Sequence, residues 1–134
     1  MNVLNKKSGV LGLSGGISSD FRDIEAGYDK GDENCIRAMK TYCYHVAKYV
    51  GSYAAAMNGV DVIAFTAGVG ENGPLVRRLV CEYFGFLGVK LDPEANAKRG
   101  EELVISTPDS KVKVMMIPTN EELAIARETV RLVK

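Results

Sequence analysis

Three glycines have a spacing that could place the backbone against a ligand. Gly68, Gly70 and Gly73 follow a short apolar run and precede a predicted helix. Glycine lets the backbone turn sharply and approach a ligand without a side-chain clash, and a following helix offers free N–H groups to an anion. The G-x-G-x-x-G spacing, with Asp92 about 20 residues further on, is that of a dinucleotide-binding fingerprint. A glycine-rich turn without a ligand has the same pattern, so both interpretations remain open.

A polar segment lies earlier in the chain, where Asp20 and Arg22 stand two residues apart at the start of a predicted helix. A carboxylate and a guanidinium in this arrangement could grip ribose hydroxyls, a base edge or a phosphate. The alternative is a helix capped by Ser18 or Ser19 that carries an ion pair on its surface.

A third polar segment follows the last predicted strand. Thr119 and Glu122 have the T-x-x-E spacing of a capping box, which would assign both side chains to the start of the last helix. Glu121 would then be available for another role. A lone carboxylate there could bind Mg²⁺ mainly through water, because Mg²⁺ gives up its water ligands reluctantly. The alternative is a favourable charge against the helix dipole.

The pattern of apolar residues predicts the elements that position these segments. Apolar residues recur every three or four positions from Ile36 to Met57, which predicts a long helix over 32–57 with one continuous apolar stripe. That stripe could pack on a sheet or on a second copy of the chain. Residues 60–66 are β-branched and apolar, so they predict a strand buried on both faces. The remaining predicted elements indicate a mixed α/β fold: helices ending near 26 and spanning 75–84 and 120–134, and strands at 89–91, 103–106 and 112–117.

The composition narrows the class of protein. The chain has 134 residues, of which 46% are hydrophobic and 25% charged, so we expect a globular fold with a core. Lys and Arg together number 17, as do Asp and Glu, and this zero net charge argues against binding to nucleic acid or to an anionic membrane surface. The stretch 49–65 is too interrupted to span a bilayer. The three cysteines, at no ligand-like spacing, indicate buried, reduced thiols in a cytoplasmic protein.

Taken together, three stretches resemble the C-terminal third of acetate kinases. They are LNKKSG leading to SSDFRD, then FTAGVGEN, and then IPTNEE, and the resemblance covers essentially the whole chain. It implies reversible phosphoryl transfer between ATP and acetate, giving acetyl phosphate and ADP, with Mg²⁺ or Mn²⁺. It also implies the mixed sheet and flanking helices of an actin-like or sugar-kinase-type ATPase domain, in a cytoplasmic homodimer.

The resemblance also implies which residues form the site. Asp20, Phe21 and Arg22 match the segment on the adenosine side of the ATP site, and Glu121 matches a metal ligand. Under this interpretation Asp92 has no part in ligand binding. The segment that would hold the nucleotide comprises Gly68, Val69, Gly70, Glu71 and Asn72.

The same resemblance leaves much of such an enzyme outside these 134 residues. The N-terminal domain, with its acceptor site and its catalytic residues, has no counterpart in the chain, so we expect residues 1–134 to be a C-terminal nucleotide-binding portion that is inactive alone. A fragment of a propionate or butyrate kinase would share these features. Two further alternatives are a dinucleotide-binding module that uses Gly68, Gly70 and Gly73, and a non-catalytic domain that dimerises through the helix over 32–57.

Overall fold

The computed structural model describes residues 1–133 and shows a small sheet flanked by helices. Its strands are β1 (Val62–Phe65), β2 (Leu103–Val104) and β3 (Lys113–Met116). A 3₁₀ helix spans Glu82–Leu87. The α-helices are α1 (Asn2–Lys6), α2 (Gly9–Leu13), α3 (Phe21–Asp29), α4 (Glu33–Ala56), α5 (Ala67–Asn72), α6 (Pro74–Cys81), α7 (Pro93–Ala97) and α8 (Glu121–Val133).

The sheet is mixed, which confirms the predicted α/β class. Its strand order is β1-β3-β2, with β1 parallel to β3 and β2 antiparallel to β3. The prediction that the first strand is buried on both faces is wrong. Ile63 and Phe65 are buried while Val62 and Ala64 are exposed, because only one face of β1 packs against the core.

The core forms where α4 packs against α3 and α6. Asp32 begins α4 by accepting hydrogen bonds from the N–H groups of Asn34 and Cys35, so a carboxylate satisfies two donors that the helix leaves free. Met39 and Cys43 of α4 are buried. Burying such a side chain contributes about 1.5–3 kcal/mol, so this packing is a main source of stability.

The apolar stripe of α4 is only partly used within the chain. Its first half is buried, whereas Tyr49, Tyr53 and Met57 are each more than 60% exposed. His45 of α4 is also exposed. Among the helices of residues 1–133, none combines the length and the apolar character that crossing a membrane requires.

Two predicted elements differ from the structure: one strand does not form, and one helix is shorter than expected. Residues 89–91 do not form a strand, because Leu91 makes only an isolated bridge to Ser106 and Pro93 then starts α7. The helix predicted over 75–84 ends at Cys81, where the chain tightens into the 3₁₀ helix that Gly88 terminates with φ +80°. Glycine adopts this left-handed backbone without a steric penalty.

The start of α8 differs from the predicted capping box. The Asn120 Oδ1 atom accepts the hydrogen bond from the N–H of Leu123, so Asn120 is the cap. Thr119 is unavailable because its hydroxyl is bonded to Thr66 and to the N–H of Ala67. The Thr119 hydroxyl therefore makes a tertiary contact with the residues that lead into α5 instead of the predicted local cap of α8.

Candidate functional site

A cleft of about 550 Å³ lies between the start of α3 and the region where α5 meets α6. It brings together two segments that are far apart in the sequence, and six of the predicted site residues line it. These are Asp20, Phe21, Arg22, Gly68, Val69 and Asn72.

The α3 wall of the cleft is built around Asp20. Its carboxylate accepts from the N–H of Arg22 at 2.8 Å and so caps α3, and it also pairs with the Arg22 guanidinium, with Nη2 2.6 Å from Oδ2. These hydrogen bonds from Arg22 lower the pKa of Asp20 from 3.8 to about 2. The Phe21 ring packs edge-on against Tyr42 with centroids 4.5 Å apart, which fixes this wall to α4.

The α5 wall is helical, whereas the glycine pattern predicted a turn before the next helix. Ala67 enters α5 with φ +59°, a backbone conformation that costs a non-glycine residue about 1–3 kcal/mol. Gly68 has open space around the position of a Cβ atom, so a ligand can approach its backbone. A Cβ atom on Gly70 would lie 3.2 Å from the carbonyl carbon of Phe65, so this glycine serves close packing against β1.

Arg77 holds the C-terminal end of α5 from inside the molecule. Its side chain is fully buried, and Nη1 donates to the carbonyl oxygens of Gly70 at 2.7 Å and Glu71 at 2.9 Å. A cation there also opposes the negative end of the helix dipole. Burial lowers the pKa of the guanidinium from its ordinary value, and nearby Arg99 lowers it further. The sequence did not single out Arg77, since a charged residue is usually at the surface.

Arg99 and Glu25 also line the cleft, and neither was predicted. Arg99 Nη1 donates to the carbonyl oxygen of Asn72 at 2.5 Å, while its Nη2 lies 3.9 Å from Glu25 Oε1. Arg99 therefore links the α5 wall with the α3 wall. Gly73 and Val76 complete the lining. Gly73 is the third glycine of the G-x-G-x-x-G pattern, whereas no local sequence pattern marked Glu25, Val76 or Arg99.

Glu71 and Glu121 lie outside the cleft lining. The Glu71 carboxylate instead accepts a hydrogen bond from the N–H of Thr119 at 2.8 Å. Glu121 is exposed as the first residue of α8. Within residues 1–133, His, Cys, Asp and Glu side chains form no group of three that could hold a metal ion. A single exposed carboxylate suits a hard cation such as Mg²⁺, which takes its other ligands from water molecules and phosphate oxygens.

Asp92 does not occupy the role that a dinucleotide fingerprint requires. Its carboxylate accepts from the N–H groups of Glu94 and Ala95 and caps α7. The fingerprint needs an acidic side chain free to bind a ribose after the second strand, whereas residues 89–91 form no strand here.

Comparisons with known proteins agree with the fold. The model of the acetokinase family matches residues 1–127. Acetate kinase from Lachnoclostridium phytofermentans is 63% identical over 133 residues, covering 99% of this chain and 33% of that protein.

Solved structures show the same relationship. The crystal structure of Porphyromonas gingivalis acetate kinase matches with a TM-score of 0.88 and 51% identity, over 99% of this chain and 33% of that one. A propionate kinase from Francisella tularensis matches with a TM-score of 0.84 and 37% identity, over 95% and 32%. The chain spans about a third of the length of the curated relatives it matches. Since the family model covers almost every residue and the folds agree, the chain belongs to the acetokinase family.

Proposed function

We propose that this chain is the C-terminal nucleotide-binding portion of an acetate kinase, which transfers a phosphoryl group reversibly between ATP and acetate. The cleft is the observation that carries this proposal. It joins the segment around Arg22 to the α5 segment around Gly68, the two segments that the sequence resemblance assigns to the ATP site.

The lining residues suggest how ATP or ADP would be held. Gly68 leaves space for the ligand beside the backbone, and Val69 and Val76 offer apolar surface to a base. The Arg22 side chain is 89% exposed, so its guanidinium can turn from Asp20 towards a phosphate or a ribose hydroxyl. Gly70 and Glu71 support this wall through packing and through a hydrogen bond, respectively.

We propose Glu121 as the residue of this chain that would hold Mg²⁺ or Mn²⁺. When bound, the metal would neutralise charge on the nucleotide phosphates. The Glu121 carboxylate is a hard oxygen donor and is exposed at the start of α8, and both properties fit such a role.

We expect the chain alone to lack activity. In-line phosphoryl transfer needs an acceptor held opposite the γ-phosphate and cations around the transferring group. In the part of the chain that the structure describes, the cations lining the cleft are Arg22 and Arg99, so both belong to the site that we propose for the nucleotide. Acetate or acetyl phosphate would then bind in the N-terminal domain of the full enzyme, and adding that domain should restore turnover.

The choice of acid is a separate question, since propionate kinase is also a structural relative. The higher identity to acetate kinases favours acetate, with propionate or butyrate as the second candidate. The selectivity between these acids would depend on the acceptor site, which we place in the N-terminal domain of the full enzyme.

The exposed half of the α4 stripe supports a homodimer. Tyr49, Tyr53 and Met57 form an apolar surface of the kind that usually marks an interface. The balanced charge argues against binding to nucleic acid or to an anionic membrane surface, and the three free, buried cysteines favour a cytoplasmic enzyme.

Replacing Gly68 by valine tests the nucleotide site directly. A Cβ atom at Gly68 would have no heavy atom from outside its own helix within 4 Å, and it would project from a residue that lines the cleft. Calorimetry should show Mg·ATP binding at least ~10-fold weaker in Gly68→Val, a loss of about 1.4 kcal/mol. Gly51→Val is the matched control, because that helical glycine also has open space and lies outside the cleft. Equal affinities for all three proteins, or a preference for NAD(H), would contradict the proposal.

A further inference from the structure

We infer that Glu71 is a positioning residue that sets the place of Glu121 through the backbone of Thr119. This inference rests on the proposed function and changes the role of Glu71 from that of a nucleotide ligand. The Glu71 Oε1 atom accepts from the N–H of Thr119 at 2.8 Å, across 48 positions of sequence. Thr119 stands two residues before Glu121, so this bond ties the nucleotide wall to the segment that carries the proposed metal ligand.

Two more hydrogen bonds at Thr119 strengthen the connection. Its Oγ1 atom lies 2.6 Å from Oγ1 of Thr66 and accepts from the N–H of Ala67 at 3.2 Å. Thr119 is thereby held through its backbone by α5 and through its side chain by the residues that lead into α5. The Asn120 cap then starts α8 directly, which leaves little freedom between Thr119 and Glu121.

The Glu71 end of this connection is held by further hydrogen bonds, whereas α8 beyond Thr119 is not anchored by burial. The carbonyl oxygen of Glu71 is held by the buried Arg77 guanidinium at 2.9 Å and by the N–H of Gly100 at 3.3 Å. In contrast, none of residues 121–133 is buried. Within the described chain, the orientation of Glu121 therefore depends on how the backbone before α8 is held.

This arrangement predicts an effect that depends on the metal. If Glu71 contacted the nucleotide itself, its loss would weaken binding equally with and without Mg²⁺. If it acts through Glu121, its loss weakens only the Mg²⁺-dependent part of the affinity. Removing Glu121 as well should then add nothing further, because interacting residues are not additive.

The test measures ADP binding to the 134-residue chain by calorimetry, with saturating Mg²⁺ and with EDTA. We expect Glu71→Ala to weaken Mg·ADP binding about 3- to 10-fold, the range of one net hydrogen bond, while metal-free affinity stays within about twofold. Glu71→Gln should keep most of the affinity, since an amide oxygen accepts the same bond. In a Glu121→Ala background Glu71→Ala should have no effect. The exposed loop variant Glu101→Ala is the matched control.

Amide hydrogen exchange is the second measurement. Glu71→Ala should remove protection of the Thr119 amide, while the amides of β3 and α6 keep theirs. If Glu71→Ala fails to fold, Glu71→Asp replaces it, because the shorter carboxylate keeps the charge but withdraws the acceptor.

Three results would overturn the inference. The first is that Glu71→Ala weakens ADP binding equally with and without Mg²⁺. The second is that Glu71→Ala leaves the affinity for Mg·ADP unchanged. The third is that the unaltered chain binds ADP with the same affinity with and without Mg²⁺. An unaltered chain that binds no ADP under either condition would instead refute the proposed function, and the inference with it.

Discussion

Arg77 and Asn96 are joined in the interior by two hydrogen bonds, from Arg77 Nε to Asn96 Oδ1 at 2.9 Å and from Nη2 to the main-chain oxygen of Asn96 at 2.6 Å. The Asn96 amide in turn donates to the carbonyl oxygen of Pro74 at 3.0 Å. Arg77 forms no ion pair with any carboxylate that the structure describes. Carbonyl and amide oxygens therefore satisfy this buried cation, and they connect α5, α6 and α7.

Replacing Arg77 by methionine should lower the free energy of unfolding by about 3 kcal/mol, because acceptors in α5, in α7 and at Lys98 lose their donor. Urea unfolding followed by circular dichroism measures the change. Arg78→Met is the control: that neighbour is exposed and pairs with Glu82 on the surface, so its loss should cost at most ~1 kcal/mol. Similar losses for both variants would contradict the role assigned to Arg77.

The Asp20 carboxyl should titrate with a midpoint near 2, because Arg22 stabilises its charged form. A lowered pKa means that Asp20 supports the folded state fully above its ordinary value of 3.8, and that this support is lost as the pH falls towards about 2. NMR of the side-chain carboxyl carbon follows the titration. Arg22→Ala should move the midpoint upward, and an unchanged midpoint in that variant would show that the pair has no influence.

Cys43 and Cys81 should resist thiol reagents in the native chain. Burial raises the pKa of each thiol to about 12, so very little thiolate, the reactive form, is present at pH 8. Reaction with a disulfide reagent at pH 8 should be slow in buffer and fast in guanidinium chloride. Rapid modification of either residue without denaturant would contradict the packing of α4 on α6.

Two helical glycines should respond oppositely to alanine. Gly51 in α4 has no atom within 4 Å of a Cβ position, so Gly51→Ala should stabilise the chain by about 0.5–1 kcal/mol. At Gly27 in α3 a Cβ atom would lie 2.3 Å from Cys35 Sγ, so Gly27→Ala should destabilise by about 1–3 kcal/mol. Thermal unfolding of both variants measures these changes in stability. If both variants were stabilised, or both destabilised, the result would count against the packing of α3 on α4.

The sequence predicts best those parts that depend on local periodicity. The repeat of apolar residues placed the long helix within a residue or two of α4. The mixed α/β class also followed from the order of apolar runs. By contrast, α2 was missed because its glycines have low helix propensity, and it is stabilised by the packing of Val10 and Leu13 against the core.

Long-range partners explain what the sequence did not predict at the site. Thr119 looks like a helix cap, but Thr66 and Ala67, which are distant in sequence, occupy its hydroxyl. Arg99 carries no local signal, since its acceptor on Asn72 is 27 positions away. The resemblance identified which segments line the cleft, whereas the contacts that hold those segments in place required the fold.

The parallel pairing of β1 with β3 has a consequence for the order of folding. Val62 and Lys113 are register partners although they stand about 50 residues apart, so their pairing must overcome the entropy of closing a long loop. The helical hairpin of α3 and α4, by contrast, needs only local contacts and can form early. The Glu71–Thr119 hydrogen bond spans the same loop and becomes possible only when that loop closes. A nascent chain should therefore gain its α3 wall first and complete the remainder of the cleft in the last, slowest step.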